Sequence, residues 1–151
     1  MTTAYSNIYD RFLQRMTDWK LDNFYTADPT GFDEYLQGFL VLGIPTFETF
    51  CDQSLDRNDT TALFTEDLTD DNVNILSLTM LVAWMQKEKN DIRQMSLHIS
   101  DKDFKTYSEA NNLRAKNENY IIAKEELSQL IIDYTWQRAD FTSWVSGDFG
   151  V

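Results

Sequence analysis

One histidine, one cysteine and a scatter of carboxylates are the residues of this 151-residue chain from which chemistry would have to be built. His98 is the only imidazole, and a general base needs a partner within hydrogen-bond reach, which no local pattern supplies. It reads as a polar residue at a helix terminus. Cys51 lies between Phe50 and Asp52 with no cationic neighbour in sequence to lower its thiol pKa, the pattern of a buried, inert cysteine. A single cysteine excludes an internal disulfide, and one cysteine with one histidine does not make a zinc site of the usual kind. In "DRNDTTALFTED" the residues Asp56, Asn58 and Asp67 stand at calcium-loop offsets, but Thr61 occupies the place of the turn glycine and Asp67 that of the usual glutamate. There is no glycine-rich phosphate loop, nucleophile elbow or cysteine pair. The expectation is a protein that is not an enzyme and has no catalytic, cofactor-binding or metal-ligating set.

What remains is a question of which elements the chain builds. Apolar residues make up 42% of it, enough for one packed core, while five glycines and two prolines are too few for a turn-rich β fold. "YSNIYDRFLQRMTDW" repeats apolar residues at three- and four-residue steps from Tyr5 to Trp19, predicting an amphipathic first helix. Pro29 and Gly31 then mark a turn in which Asp28 or Thr30 would cap the next helix. That helix, "FDEYLQGFLVLGI", is expected to end before Pro45, since the residue ahead of a proline resists helical geometry. Between Phe47 and Asp71 eight carboxylates face Arg57 alone, so seven of the twelve net negative charges lie here. A short helix over Phe47–Leu55 and an extended piece at Leu63–Phe64 are the expectations for this segment.

Thr69 is placed to cap a long helix, with Asp70 and Asp71 in the first turn where the helix dipole favours negative charge. Its apolar row Leu78, Leu81, Met85, Ile92 and Met95 carries the helix to about His98, with Glu88 the one residue out of character. Ser100 would cap a last helix bearing Leu113, Tyr120, Leu127 and Tyr134 at seven-residue intervals, with Ala123 and Leu130 between them. The predicted fold is all-α, a bundle of four to five helices over residues 1–138 with extended terminal arms. Residues 139–151 form the C-terminal arm, whose Phe141, Trp144 and Phe149 sit among Ser, Gly and Asp in a segment too short and polar to build its own core. These rings either fold back on the bundle or dock on another subunit, and "MTTAY" at the other end has the same choice. The longest apolar run, Ile75–Met85, is about half the roughly 20 residues a membrane span needs, and no basic segment leads into an apolar one at the start. No membrane association and no signal peptide are expected.

The stretch "SDKDFKTYSEANNLRAKNENYIIAKEELSQLIIDYTW" resembles the C-terminal helical part of tailed-bacteriophage head–tail connector (neck, or adaptor) proteins, and the resemblance spans Ile75 to Trp136. It implies a virion structural protein, made in the host bacterial cytoplasm and placed in the neck. Such a subunit joins a homo-oligomeric ring that extends the DNA channel, with portal protein above and tail or neck proteins below. On that reading Phe141, Trp144 and Phe149 would bind partners, and Asp56, Asp59, Glu66 and Asp67 would face the channel. A net charge of −12 suits transient passage of double-stranded DNA, because affinity for nucleic acid is built on Lys and Arg displacing counterions. The alternative is an acidic inhibitor whose carboxylates mimic DNA and bind a basic DNA-binding protein.

Overall fold

A computed structural model describes residues 1–98 and 103–141. Five helices and one two-stranded sheet make up the described fold: α1 (Tyr5–Gln14), α2 (Trp19–Ala27), α3 (Pro29–Glu48), β1 (Arg57–Asn58), β2 (Leu63–Phe64), α4 (Asp70–His98) and α5 (Asp103–Arg138). The all-α bundle expectation holds, with α4 as its central element.

Helices α1, α3 and α5 meet on α4, while α2 packs on α3. Val73, Ile75, Leu76, Leu78, Met80, Leu81 and Trp84 are all buried, so its first half is apolar all round, as a helix enclosed by neighbours must be. The hydroxyls enclosed with them turn back on the helix: Ser77 donates to the Asn74 carbonyl at 2.7 Å and Thr79 to that of Leu76 at 2.7 Å. Thr69 caps α4, its Oγ1 accepting the Asn72 amide at 3.4 Å. Glu88, half-buried in an apolar row, is accounted for by Lys116 of α5 at 3.0 Å and Lys20 of α2 at 4.0 Å. The helix does run through Asn90 and Asp91 to His98, as its periodicity predicts.

Helix α5 returns antiparallel along α4, with Lys116 beside Glu88 at one end and Arg138 beside Asp71 at the other. At 36 residues it is a rod of about 54 Å. Ala123, Leu127, Ile131 and Tyr134 are buried against the bundle. Leu113, Tyr120 and Leu130 of the predicted seam are half-buried. Ser100, the expected cap of this helix, lies outside the described residues.

Three expectations from the first half of the chain are corrected. The first helix stops at Gln14, where the Arg15 amide bonds the Phe12 carbonyl, and α2 starts anew because the Asp18 carboxylate accepts the Lys20 amide at 2.7 Å. A local side-chain cap outcompetes continuation even though the apolar spacing runs on. Helix α3 passes through Pro45 and ends at Glu48. Ile44 and Phe47, on either side of the proline, are fully buried, and their packing outweighs the roughly 3 kcal/mol that an interior proline costs. Consequently the separate helix over Phe47–Leu55 does not form: Phe47 and Glu48 finish α3, and an irregular loop follows.

Asp28 ends α2 and caps α3, accepting the Gly31 amide at 3.0 Å behind Pro29 at the first helical position. Phe24 of α2 meets Phe32 and Tyr35 of α3 edge-on at 5.7 and 5.5 Å. Gly43 marks a close approach of α3 to α4, since a Cβ there would lie 2.6 Å from the Thr79 Oγ1. Leu63–Phe64 is extended as expected and pairs antiparallel with β1, Arg57 opposite Phe64 and Asn58 opposite Leu63. The turn between them places Ala62 at φ 54°. Residues 1–4 fold back onto this hairpin: Thr3 and Phe64 exchange a backbone bond of 2.9 Å, and Thr3 also bonds the Glu66 carbonyl at 3.1 Å. Of the two fates open to "MTTAY", docking within its own chain is the one observed.

Candidate functional site

The predicted acidic set sits on the hairpin and its flanks. Asp56, Asp59, Glu66 and Asp67 are all exposed, but the chain uses part of that set for itself. Asp59 accepts the Tyr5 hydroxyl at 2.5 Å and lies 3.3 Å from the Arg57 guanidinium, fixing the start of α1 to the β1–β2 turn. Burial, reinforced by that carboxylate, pushes the Tyr5 hydroxyl pKa well above its ordinary value. Asp67 meets the Thr3 hydroxyl at 3.5 Å. Asn58 Oδ1 accepts the Thr60 and Thr61 amides at 2.9 and 3.3 Å, so the oxygen that a calcium loop would lend to the ion closes the turn instead. Among the described residues no group of three or more His, Cys, Asp or Glu is placed to hold a metal ion.

The most connected polar cluster was not visible in sequence. Asp52, in the loop after α3, accepts the Tyr134 hydroxyl, the Arg138 guanidinium at 2.6 Å and the Asn72 amide at 3.1 Å, while its own backbone N–H donates to the Tyr134 oxygen at 2.9 Å. Arg138 also reaches Asp71 at 3.3 Å and lies over the Tyr134 ring at 3.6 Å, and Phe47 meets the ring's edge at 5.1 Å. The Tyr134 hydrogen bond first, then Arg138 and Asn72, hold the Asp52 carboxyl down at about 2. These contacts latch the C-terminal end of α5 to the start of α4 and the end of α3. Cys51 is half-buried beside the cluster, its sulfur 3.9 Å from the Tyr134 hydroxyl, and desolvation raises its thiol pKa. That direction opposes thiolate formation. His98 closes α4 as its last residue.

Among the described residues two uncovered apolar surfaces stand out. Ile121, Ile122, Ile132 and Trp136 on α5 are 43%, 61%, 48% and 63% exposed, and Phe141, just beyond the helix, stacks on Trp136 at 5.5 Å and is 44% exposed. At 100° per residue the four helical side chains share a sector of about 100°, roughly opposite the buried row Ala123, Leu127, Ile131 and Tyr134. The second surface is a groove of about 780 Å³ with α4 as its floor and α3 and α5 as its walls. Phe141, one of the three partner-binding candidates, thus lies at the end of the exposed ridge. Trp144 and Phe149 are outside the described residues. The seven-residue seam marks only one face of α5, so it does not single out the ridge isoleucines or Trp136. The signal was present in the doubled pairs "YII" and "LII", which place apolar residues on both faces.

Comparison with protein-family models, with curated proteins and with solved structures returned no match. Among the described residues no helix is long and apolar enough to cross a membrane.

Proposed function

We propose that this chain is a structural subunit of a phage head–tail connector ring, which extends the DNA channel between portal and tail and carries out no chemistry of its own. The observation that carries the reading is the second apolar face of α5, a ridge of large side chains on a rod already anchored by its other face. Ile121 with Ile122, and Ile132 with Trp136 and Phe141, form two exposed apolar patches on that face with Glu125 and Gln129 on the turns between them, and apolar patches of this size often mark a contact surface. A ring subunit needs such a face for its neighbour, and the sequence resemblance of the α4–α5 region to connector proteins points the same way. The exposed carboxylates Asp56, Asp59, Glu66 and Asp67 would line the channel, where negative charge repels phosphate and lets double-stranded DNA pass without being held. On this account the chain is made in the host bacterial cytoplasm and ends in the virion neck, against portal protein on one side and tail or neck proteins on the other, away from any membrane.

Quantitative mass spectrometry of purified virions tests this. The expected result is the chain at a fixed copy number per particle, tracking the portal through purification; particles that are intact and infectious without it would overturn the proposal. The acidic hairpin also supports a reading as a DNA-mimicking inhibitor. Salt-sensitive co-purification with a basic DNA-binding protein, together with absence from virions, would favour that alternative.

A further inference from the structure

We infer that two copies of this chain associate head to tail, the α5 ridge of one seated in the α3–α4–α5 groove of the next. The inference deepens the ring-subunit reading and rests on it in requiring self-association. It is argued from the two uncovered surfaces and their charges.

The ridge and the groove cannot satisfy each other within one molecule. Both use α5, but the groove is walled by Leu127 and Ile131 while the ridge is formed by Ile121, Ile122, Ile132 and Trp136 on the outward side. On a helix at 100° per residue the two sectors are centred about 150° apart. Phe141 stacks on Trp136 and so extends the ridge at the end of α5. A second copy supplies a partner for each surface.

The fit is one of shape and charge. The groove presents Phe39, Leu42, Val82, Ala83, Leu127 and Ile131, with Leu42 70% exposed on its α3 wall. Ionisable groups in it are Lys87, Lys124 and Asp91, two cations against one anion, in a chain whose net charge is −12. Lys87 is paired with Asp91 at 2.5 Å, and Lys124 approaches the Tyr120 ring at 6.0 Å with no carboxylate partner among the described residues. At 100° per residue Glu125 stands within the ridge sector and Asp133 at its edge, and the stretch from Ile121 to Trp136 carries no lysine or arginine other than Lys124 at the margin. A mildly cationic groove and a ridge bearing carboxylates are complementary, whereas ridge against ridge would set carboxylate against carboxylate. Taking the exposed fractions against full residue areas of about 170–250 Å², the ridge offers roughly 500 Å², most of the ~800 Å² per partner of a standard interface. Because ridge and groove are different surfaces, the contact is heterologous and leaves one of each open at the ends, so it propagates into a ring when the rotation closes.

The test uses the full-length chain and sedimentation velocity. Ile132→Glu and, as a second ridge variant, Ile122→Glu disable the ridge, and Leu42→Glu disables the groove; all three sites are exposed, and unchanged helical circular dichroism and melting confirm folding. Wild type is expected to self-associate, and each single variant to associate about tenfold or more weakly. An equimolar mixture of Ile132→Glu with Leu42→Glu is expected to form a one-to-one dimer and stop there, because one intact ridge meets one intact groove. Wild type that stays monomeric, variants that associate like wild type, or a mixture that stays monomeric would each overturn the inference. Unimpaired rings from the variants would remove this contact while leaving the connector reading intact, whereas particles lacking the chain would remove the connector reading and leave head-to-tail association standing.

Discussion

Replacing Tyr134 with phenylalanine deletes one oxygen from the latch and leaves the ring in place. Tyr134 is only 4% exposed, and its ring keeps Phe47 at its edge and Arg138 across its face, so packing changes little. What is lost is the hydrogen bond to Asp52 and the acceptor for the Asp52 amide. Hydrogen bonds to charged groups contribute about 1.5–3 kcal/mol. The depression of Asp52 from 3.8 to about 2 corresponds at face value to roughly 2.5 kcal/mol, but its side chain is 42% exposed in the ion pair with Arg138, and solvent screening reduces this to about 1 kcal/mol. Tyr134→Phe is therefore expected to destabilise the fold by about 1 kcal/mol at neutral pH, a fall in Tm of roughly 2–4 °C for a chain of this size. The sign with pH follows from the direction of the shift. A carboxyl held below its ordinary pKa stabilises the fold above about pH 4, and that contribution is lost as pH falls toward 2. The gap between wild type and variant should therefore narrow over that interval. Urea unfolding at pH 7, 4 and 2.5 reads it directly, and a gap that is zero at pH 7, or the same size at all three, would refute the latch as described.

Further outcomes follow from the packing. Leu127→Asp places a carboxylate at a site 4% exposed on the α4–α5 contact, and the lost burial and unpaired charge together should exceed about 4 kcal/mol and abolish cooperative thermal unfolding; a wild-type melt would show that this face of α5 is misassigned. Gly43→Ala sets a methyl 2.6 Å from the Thr79 hydroxyl and should cost about 1–3 kcal/mol by forcing α3 off α4, read as a lower denaturation midpoint. Glu88→Leu removes a half-buried carboxylate shared by Lys116 and Lys20; it should change stability by less than about 1.5 kcal/mol, because the leucine continues an apolar row, and a larger loss in urea unfolding would show that the ion pairs dominate at this site. Deleting residues 139–151 removes Phe141 from the ridge and nothing from the described helices, so far-ultraviolet circular dichroism should be retained while self-association weakens.

The long helices were legible because their signals are local and redundant. Thr69, Asp70 and Asp71 announce the start of α4, its apolar row continues past Glu88, and Leu127 and Tyr134 of α5 repeat at a heptad interval. Where a single residue arbitrates, reading fails. Asp18 starts α2 anew through a cap that competes with an unbroken apolar rhythm, and Pro45 is overruled by the burial of Ile44 and Phe47, which only the assembled core can supply. The latch was out of reach for a different reason: Asp52 and Tyr134 are separated by 82 positions, and nothing near either residue in sequence indicates the other. Of the acidic candidates, Asp59 shows why composition alone misleads, since part of its charge is spent on Tyr5 and Arg57 within the same molecule. The exposed ridge lies between these cases, written in the sequence as apolar residues on both sides of one helix yet identifiable only once the buried side is known.

The most direct test of the central claim is a cryo-EM map of the virion neck at a resolution that separates helices. The account requires a ring beneath the portal in which each subunit shows the antiparallel α4–α5 hairpin, with α5 about 54 Å long and its outward ridge covered by the adjacent copy. A neck whose every ring is built by other chains would contradict it.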